Sequence, residues 1–274
     1  MNPIGETSMK SNRTLNAALL IAALFSTQAY GTEVLAPGST VAGKSIAAWS
    51  AEWWKWAWNS PAGADPLNDT TGALANQAND GPVFFLAGSN SNGSITRSFN
   101  VAAGKPLLVP MINYWENCPG DVAISCGPAY LPDPKPQMLA NTNTFKSATT
   151  SIFATIDGIP VANTGTHWEV SDFFSGGIAQ PGGTLTTLYA NFGINIVGQD
   201  IAPSLASGYY VMVTGLAPGA HTLTYGGSTT AFGLFEYQVT ANINVLAVPE
   251  PESWLLMLAG LGFLGWRARR RHMT

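Results

Sequence analysis

Residues 208–225 read GYYVMVTGLAPGAHTLTY, and this stretch decides the predicted fold. The runs Tyr209–Thr214 and His221–Tyr225 are rich in aromatic and β-branched residues, which favour strands. Between them, Leu216-Ala217-Pro218-Gly219 contains the Pro-Gly pair of a tight turn. Turns of this kind recur in immunoglobulin-like sandwiches, so His221 is interpreted as a turn or inter-strand residue. The stretch therefore predicts a strand, a turn and a second strand within a β-sandwich.

Further short segments that are apolar, or that alternate apolar and polar residues, indicate more strands before and after residues 208–225. Turns rich in Gly, Pro, Asn and Asp separate them, and Asp157-Gly158 has the sequence of a hairpin turn. The other predicted strands are 83–86, 95–101, 107–112, 151–156, 167–174, 184–192 and 233–245. Residues 32–247 are therefore expected to form a single mainly β domain, a β-sandwich or jelly-roll-like fold.

One Trp-rich helix is predicted near the start of this domain, at about residues 45–59. Ser45 is a suitable N-cap, Pro61 ends the segment, and apolar residues recur between them at helical spacing. Two stripes result, the first with Ile46, Trp49, Trp53 and Trp56, and the second with Ala47, Ala51, Trp54 and Trp58. A helix with tryptophans on both sides is either packed between two layers or has one face free to bind a ligand.

Trp54 and Trp58 are the predicted glycan-binding residues, because a flat indole ring can cover the C–H face of a sugar ring. The alternative is that all the tryptophans of this helix belong to the core, which is the more common place for large aromatic side chains. The exposure of these two residues decides between the interpretations.

Composition and charge narrow the functional class. Charged residues make up 10% of the 274-residue chain and hydrophobic residues 46%, a balance typical of loop-rich β proteins that work outside the cell. Residues 32–247 contain six basic and thirteen acidic side chains, a formal net charge of −7. An acidic domain without basic clusters repels phosphate backbones, which argues against a nucleic-acid partner.

The N-terminal residues 1–31 have the pattern of a secretory signal peptide. Lys10 and Arg13 form the positive region, Ala17–Phe25 the apolar region, and Ala29-Tyr30-Gly31 a small-x-small cleavage site. Translation from Met9 instead of Met1 fits the same pattern. A retained N-terminal anchor is the alternative, although the apolar run is short for a membrane span.

The C-terminal residues 248–274 contain three ordered elements: the segment Val248-Pro249-Glu250-Pro251-Glu252, the apolar run Ser253–Trp266, and a basic cluster. The apolar run would be about 21 Å long as a helix, against about 30 Å for the hydrocarbon core, so it is marginal as a permanent span. The arginines of the basic cluster, which would remain on the cytoplasmic side, are Arg267, Arg269, Arg270 and Arg271.

These three elements together resemble the PEP-CTERM sorting domain. The resemblance implies recognition by an exosortase, cleavage near Pro249–Pro251, and transfer to the surface or matrix of a Gram-negative bacterium that makes exopolysaccharide. Before processing, the short helix at 253–266 would hold the protein in the inner membrane. An ordinary C-terminal membrane anchor is the alternative.

The domain between the two signals resembles a family of uncharacterised secreted bacterial proteins, through Trp53-Trp54-Lys55-Trp56 and Pro110-Met111-Ile112-Asn113 among other segments. This resemblance implies no activity. Separately, Cys118 and Cys126 are predicted to form a disulfide, since the protein is exported and both cysteines lie in one short loop. A reactive thiol is the alternative.

The sequence contains no recognised catalytic, metal-binding or cofactor-binding pattern, so none of these sites is predicted. His167 and His221 lack the spacing of metal ligands. A polysaccharide hydrolase or lyase would need two paired carboxylates, and the sequence pairs no two of the candidates, which are Glu52, Glu116, Asp157, Glu169, Asp172 and Glu236. The resemblance to the sorting domain implies, and the tryptophans support, the preferred prediction: a non-catalytic surface or matrix protein that associates with extracellular polysaccharide in a biofilm. The hydrolase or lyase is one alternative, and a purely structural protein without a ligand is another.

Overall fold

The computed structural model describes residues 31–231, 233–247 and 257–264, together with Arg267 and Arg269. It is mainly β, with 36% strand and 24% helix, which confirms the predicted fold class. Except for Gly31, the predicted signal peptide lies outside the described residues. The strands within them are β1 Glu33–Val34, β2 Thr40–Val41, β3 Lys44–Ser45, β4 Phe84–Phe85, β5 Gly93–Ala102, β6 Leu107–Asn117, β7 Thr149–Ile156, β8 Ile159–Pro160, β9 Trp168–Val170, β10 Ser204–Thr214, β11 Gly219–Thr229 and β12 Phe235–Leu246.

Four α-helices accompany these strands between residues 31 and 247. They are α1 Ile46–Trp58, α2 Val122–Ser125, α3 Lys135–Ala148 and α4 Thr184–Asn191, and short 3-10 turns lie at Pro128–Tyr130 and Thr164–Thr166. Residues 257–264, near the C-terminus, are also helical.

Two five-stranded sheets form the body of the fold. The first has the order β1-β10-β6-β4, with β9 also paired to β10, and the second has the order β5-β12-β11-β7-β8. The quoted stretch 208–225 joins them, because β10 belongs to the first sheet and β11 to the second. The predicted strand–turn–strand is therefore present, but its two strands pair in different sheets and not with each other.

The two sheets pack face to face on a common apolar core, as in a β-sandwich. Val109 and Val211 from the first sheet and Tyr225 and Val239 from the second belong to one buried cluster. The predicted Asp157-Gly158 turn joins β7 and β8, and both its residues have the positive φ values, 52° and 80°, of a two-residue hairpin turn.

Helix α1 forms a third layer on the outer face of the first sheet. Its Trp53 lies in a second buried cluster with Leu108 of β6 and with Tyr210 and Met212 of β10. The predicted boundaries were each one residue too wide, since Ser45 caps the helix and Asn59 follows it.

Three segments differ from the sequence prediction. Residues 184–192 were predicted as a strand and instead form helix α4, so that prediction was wrong. The predicted strand 167–174 is reduced to the three residues of β9. Helix α3 was not predicted, although its buried residues Met138, Thr142 and Phe145 have helical spacing.

Candidate binding cleft

The first tryptophan stripe of α1 is structural. The indole N–H of Trp53 donates to the Leu86 carbonyl at 2.7 Å, that of Trp49 to the Val41 carbonyl at 2.8 Å, and that of Trp56 to the Gln77 carbonyl at 2.8 Å. All three side chains are buried and have their polar atom paired, which is the usual state of core tryptophans.

The second stripe forms a ring cluster with Trp115 of β6. The ring centroids of Trp54 and Trp58 are 6.2 Å apart, those of Trp54 and Trp115 are 5.6 Å apart, and those of Trp58 and Trp115 are 5.9 Å apart. The three ring planes lie within 27° of one another, so each pair is stacked. Trp54 is only 7% exposed, whereas Trp58 is partly exposed. Of the two predicted glycan-binding residues, only Trp58 therefore reaches the surface.

Trp58 lies between two adjoining cavities that we call together the Trp58 cleft. Trp58 and Leu188 of α4 line both of them. The aromatic half has a volume of about 460 Å³ and is lined by Trp115, Tyr189 and Phe192 as well. The polar half has a volume of about 270 Å³ and is lined also by Asp65, Asn68, Asn90, Thr184, Thr187 and Asn191.

The lining of the aromatic half contains three buried polar atoms without a partner. The indole nitrogens of Trp58 and Trp115 and the hydroxyl of Ser125 have no hydrogen-bond partner among the described residues. A buried polar group left unpaired costs about 1–3 kcal/mol, so such groups are rare in folded proteins unless water or a ligand satisfies them. At the rim, Phe192 is 74% exposed and Leu188 38% exposed.

Asp65 is the one carboxylate among the described residues that line the cleft. It is 3% exposed and accepts hydrogen bonds from the Leu67 N–H at 2.8 Å and from the side-chain amides of Asn68 and Asn90 at 2.9 and 3.2 Å. Burial raises the pKa of Asp65, while the bond from Leu67 and the positive charge of Arg97 act in the opposite direction. The carboxylate therefore serves mainly to orient the amides of the polar half.

Arg97 of β5 holds the loop that carries this polar half. Its guanidinium is buried and donates to the carbonyl oxygens of Leu67 at 3.3 Å and Asp69 at 2.7 Å, on either side of Asn68. It also donates to the carbonyl oxygens of Ala87 and Gly88. One side chain thus joins two loops to the second sheet.

Four of the acids weighed as catalytic candidates have separate partners, and the other two are exposed. Glu52 pairs with Lys44 and Lys55 on the surface of α1. Glu116 accepts from Tyr130 and Asn141, and Glu169 accepts from the Gly38 N–H. Asp157 pairs with His221, while Asp172 and Glu236 are exposed. None of these six lines the Trp58 cleft.

The predicted disulfide between Cys118 and Cys126 is present. It closes the loop that follows β6 and contains α2 and Ser125. Cys118 is fully buried beside Met138 of α3 and Leu205 of β10, so the loop is fixed to the end of the first sheet. The disulfide therefore positions one wall of the aromatic half.

A family model for the PEP-CTERM protein-sorting motif matches residues 247–271. The chain carries a PEP-CTERM sorting motif. No curated protein and no solved structure matches the chain, so the resemblance of its central domain to uncharacterised secreted proteins stays a prediction.

The PEP-CTERM motif marks an exported protein that is transiently anchored in the membrane and then processed by an exosortase. Of the predicted sorting residues, Arg267 and Arg269 are helical, while Pro249, Glu250, Pro251, Arg270 and Arg271 lie outside the described residues. Within the described ranges, no helix combines the length and the apolar character needed to cross a bilayer.

The sequence interpretation missed helix α4 and therefore one wall of the cleft. Leu185, Leu188, Tyr189 and Phe192 recur at the i, i+3, i+4, i+7 spacing of a helix face, which was the available signal. The threonines among them favour strands locally and concealed it.

Proposed function

We propose that this exported, exosortase-processed protein is non-catalytic and binds neutral extracellular polysaccharide in the Trp58 cleft. The observation that carries the proposal is the lining of the aromatic half of the cleft, which contains the stacked rings of Trp58 and Trp115 and three buried polar groups without a partner among the described residues.

Aromatic side chains and hydrogen-bond donors are the two features that sugars require. The C–H face of a sugar ring packs against a flat aromatic ring, and its hydroxyl oxygens accept hydrogen bonds. Trp58, Trp115, Tyr189 and Phe192 supply aromatic surface in one cavity. The unpaired groups of Trp58, Trp115 and Ser125 belong to side chains of the same lining but are buried, so the proposal requires the exposed rim side chains to move aside when a ligand binds.

The charges of the cleft favour a neutral ligand. Among the described residues, neither cavity is lined by a lysine or arginine that would pair with an acidic sugar. The polar half instead offers amide and hydroxyl groups of Asn68, Asn191 and Thr187, which hydrogen-bond neutral hydroxyls in both directions. Together the two halves, which share Trp58, provide room for neighbouring sugar units.

The same geometry supports binding in preference to cleavage. Glycoside hydrolysis generally uses two carboxylates on opposite sides of the scissile bond. Asp65 is the one acid of the described lining, and its oxygens already accept three hydrogen bonds. The hydrolase or lyase therefore has less support at this site.

The test is a titration of the domain with purified neutral exopolysaccharide from the producing bacterium, followed by calorimetry. We expect Phe192→Ala and Trp58→Ala each to weaken binding roughly tenfold, about 1.4 kcal/mol, through lost stacking. The matched control is Ile159→Ala, since Ile159 is 72% exposed but lies on β8, away from the cleft.

Unchanged affinity in both cleft variants would refute the proposed site. Loss of polymer mass on incubation with the wild-type domain would instead favour the hydrolase or lyase.

A further inference from the structure

Both ends of the domain lie at the same end of the sandwich, which we call the tether pole. Near the N-terminus, Glu33 pairs with Thr214, the last residue of β10. Near the C-terminus, Val245 pairs with Gly219, the first residue of β11. Only the turn 215–218 separates Thr214 from Gly219, so the two chain ends are close neighbours.

Two further contacts define this pole. Gly215 adopts φ +72°, and a Cβ on it would lie 2.1 Å from the carbonyl oxygen of Gly31, the residue before the predicted cleavage site, so the backbone that leads into Thr32 packs directly on the turn. The Ala103 N–H donates to the Leu246 carbonyl at 2.9 Å, which fixes the end of β12 to the turn between β5 and β6. The predicted signal-peptide cleavage site and the sorting motif therefore both adjoin the tether pole.

The Trp58 cleft lies towards the opposite end. Trp115 is the cross-strand partner of Ala206, eight residues along β10 from Thr214. At about 3.3 Å per residue, this corresponds to about 26 Å. All eleven residues of β10 span about 36 Å, which is the approximate height of the sandwich.

The chain between the sandwich and the apolar run is short. Six residues, 247–252, separate Leu246 from Ser253, and the seven Cα–Cα steps between those two residues reach at most about 25 Å. If the domain stood with the cleft end against the membrane, Leu246 would lie about 36 Å above the bilayer surface. The segment 247–252 is too short to span this distance. A domain lying on its side would place a larger share of an acidic domain, net charge −7 over residues 32–247, next to a bilayer that contains anionic lipid, and like charges repel.

We propose that the membrane-anchored form stands upright, with its tether pole against the lipid headgroups and the Trp58 cleft facing away from the membrane. Before processing, the cleft is then already presented to polymer outside the membrane. The inference rests on the sorting motif and the strand registers, and it holds whether or not the cleft binds polysaccharide.

The test is resonance energy transfer from the protein to the bilayer. Unprocessed chain, from Thr32 to Thr274, is reconstituted in vesicles of mixed zwitterionic and anionic phospholipid that carry an acceptor dye on their headgroups. One donor dye is attached to a single introduced cysteine, because the native cysteines are paired in a disulfide. Three variants each carry this cysteine at one exposed position: Ala102→Cys at the tether pole, Thr96→Cys at mid-height and Ala190→Cys on α4.

We expect transfer to be highest at position 102, intermediate at 96 and lowest at 190. Equal transfer at the three positions would show a domain lying flat and would overturn the proposal, as would a reversed order. In a second protein, thirty Gly and Ser residues are inserted between Ala247 and Val248, and a flexible linker of that length has a root-mean-square span of about 30 Å. In this protein the differences in energy transfer among the three dye positions should decrease. Unchanged differences would refute the short segment 247–252 as their cause.

Discussion

Replacement of Arg97 by methionine should destabilise the protein strongly. Arg97 is 2% exposed, and its guanidinium donates to four backbone carbonyls, those of Leu67, Asp69, Ala87 and Gly88. Ala87 keeps a second donor, the Tyr225 hydroxyl at 2.8 Å, but the other three carbonyls lose their bond to this side chain. Each buried carbonyl left without a partner costs about 1–3 kcal/mol, and burial of the methionine side chain offsets part of this cost. We therefore expect the free energy of unfolding to fall by about 3–5 kcal/mol.

This loss is a large part of the stability of a typical domain, about 5–15 kcal/mol. The assay is urea unfolding of the chain truncated after Ala247, followed by tryptophan fluorescence. Arg97→Lys keeps the charge with fewer donors in a different geometry and should fall between wild type and Arg97→Met. Ser98→Ala, at the next and exposed position of β5, is the control and should change the free energy of unfolding by less than about 0.5 kcal/mol. A change below about 1 kcal/mol in Arg97→Met would refute the role assigned to this side chain.

Three further predictions concern other parts of the chain. Burial opposes the charged form of His221, but its hydrogen bonds to the Asp157 carboxylate and the Ala217 carbonyl outweigh burial and raise the pKa of His221. The contribution of His221 to the free energy of unfolding is therefore fully present below its ordinary pKa, and it is lost as pH rises through the raised pKa. The difference in melting temperature between wild type and His221→Gln should therefore shrink from about pH 5.5 to about pH 9, which lie about one unit or more on either side of an ordinary His pKa. A difference that stays constant would contradict this. Replacing Cys118 and Cys126 by serine should lower the free energy of unfolding by about 2–3 kcal/mol in urea titrations, whereas equal stability of reduced and oxidised protein would count against it. Pro249→Ala combined with Pro251→Ala should leave the exported protein unprocessed, with Arg271 still detected by mass spectrometry, and normal processing would show that these prolines are not required.

Local signals in the sequence were sufficient for helix α1 and for most strands. Ser45, Pro61 and the tryptophan spacing act within one segment, so the helix was predicted to within one residue at each end. The alternation of apolar residues likewise identified β12, which has one buried and one solvent-facing side. Each of these features depends on neighbours in the chain.

The cleft could not be predicted because it depends on contacts between distant segments. Trp115 lies 57 positions after Trp58, and only the pairing of β6 with β10 and the packing of α1 on that sheet bring the two rings together. Helix α4 is stabilised by packing of Leu185 with Ile196 and Ile201, which outweighs the strand preference of its threonines. The burial of Trp54 follows from the same packing and reduced the predicted pair of surface tryptophans to Trp58.

The most direct test of the cleft uses the indole N–H groups as reporters. In ¹⁵N NMR spectra of the domain, each tryptophan gives one indole N–H signal, and variants assign the signals. Adding short neutral fragments of the exopolysaccharide should shift the signals of Trp58 and Trp115, whose N–H groups lack acceptors among the described residues. The signals of Trp49, Trp53 and Trp56 should stay in place, because backbone carbonyls already accept from them. Saturating fragment that shifts none of these signals, or shifts all five equally, would contradict polysaccharide binding in the Trp58 cleft.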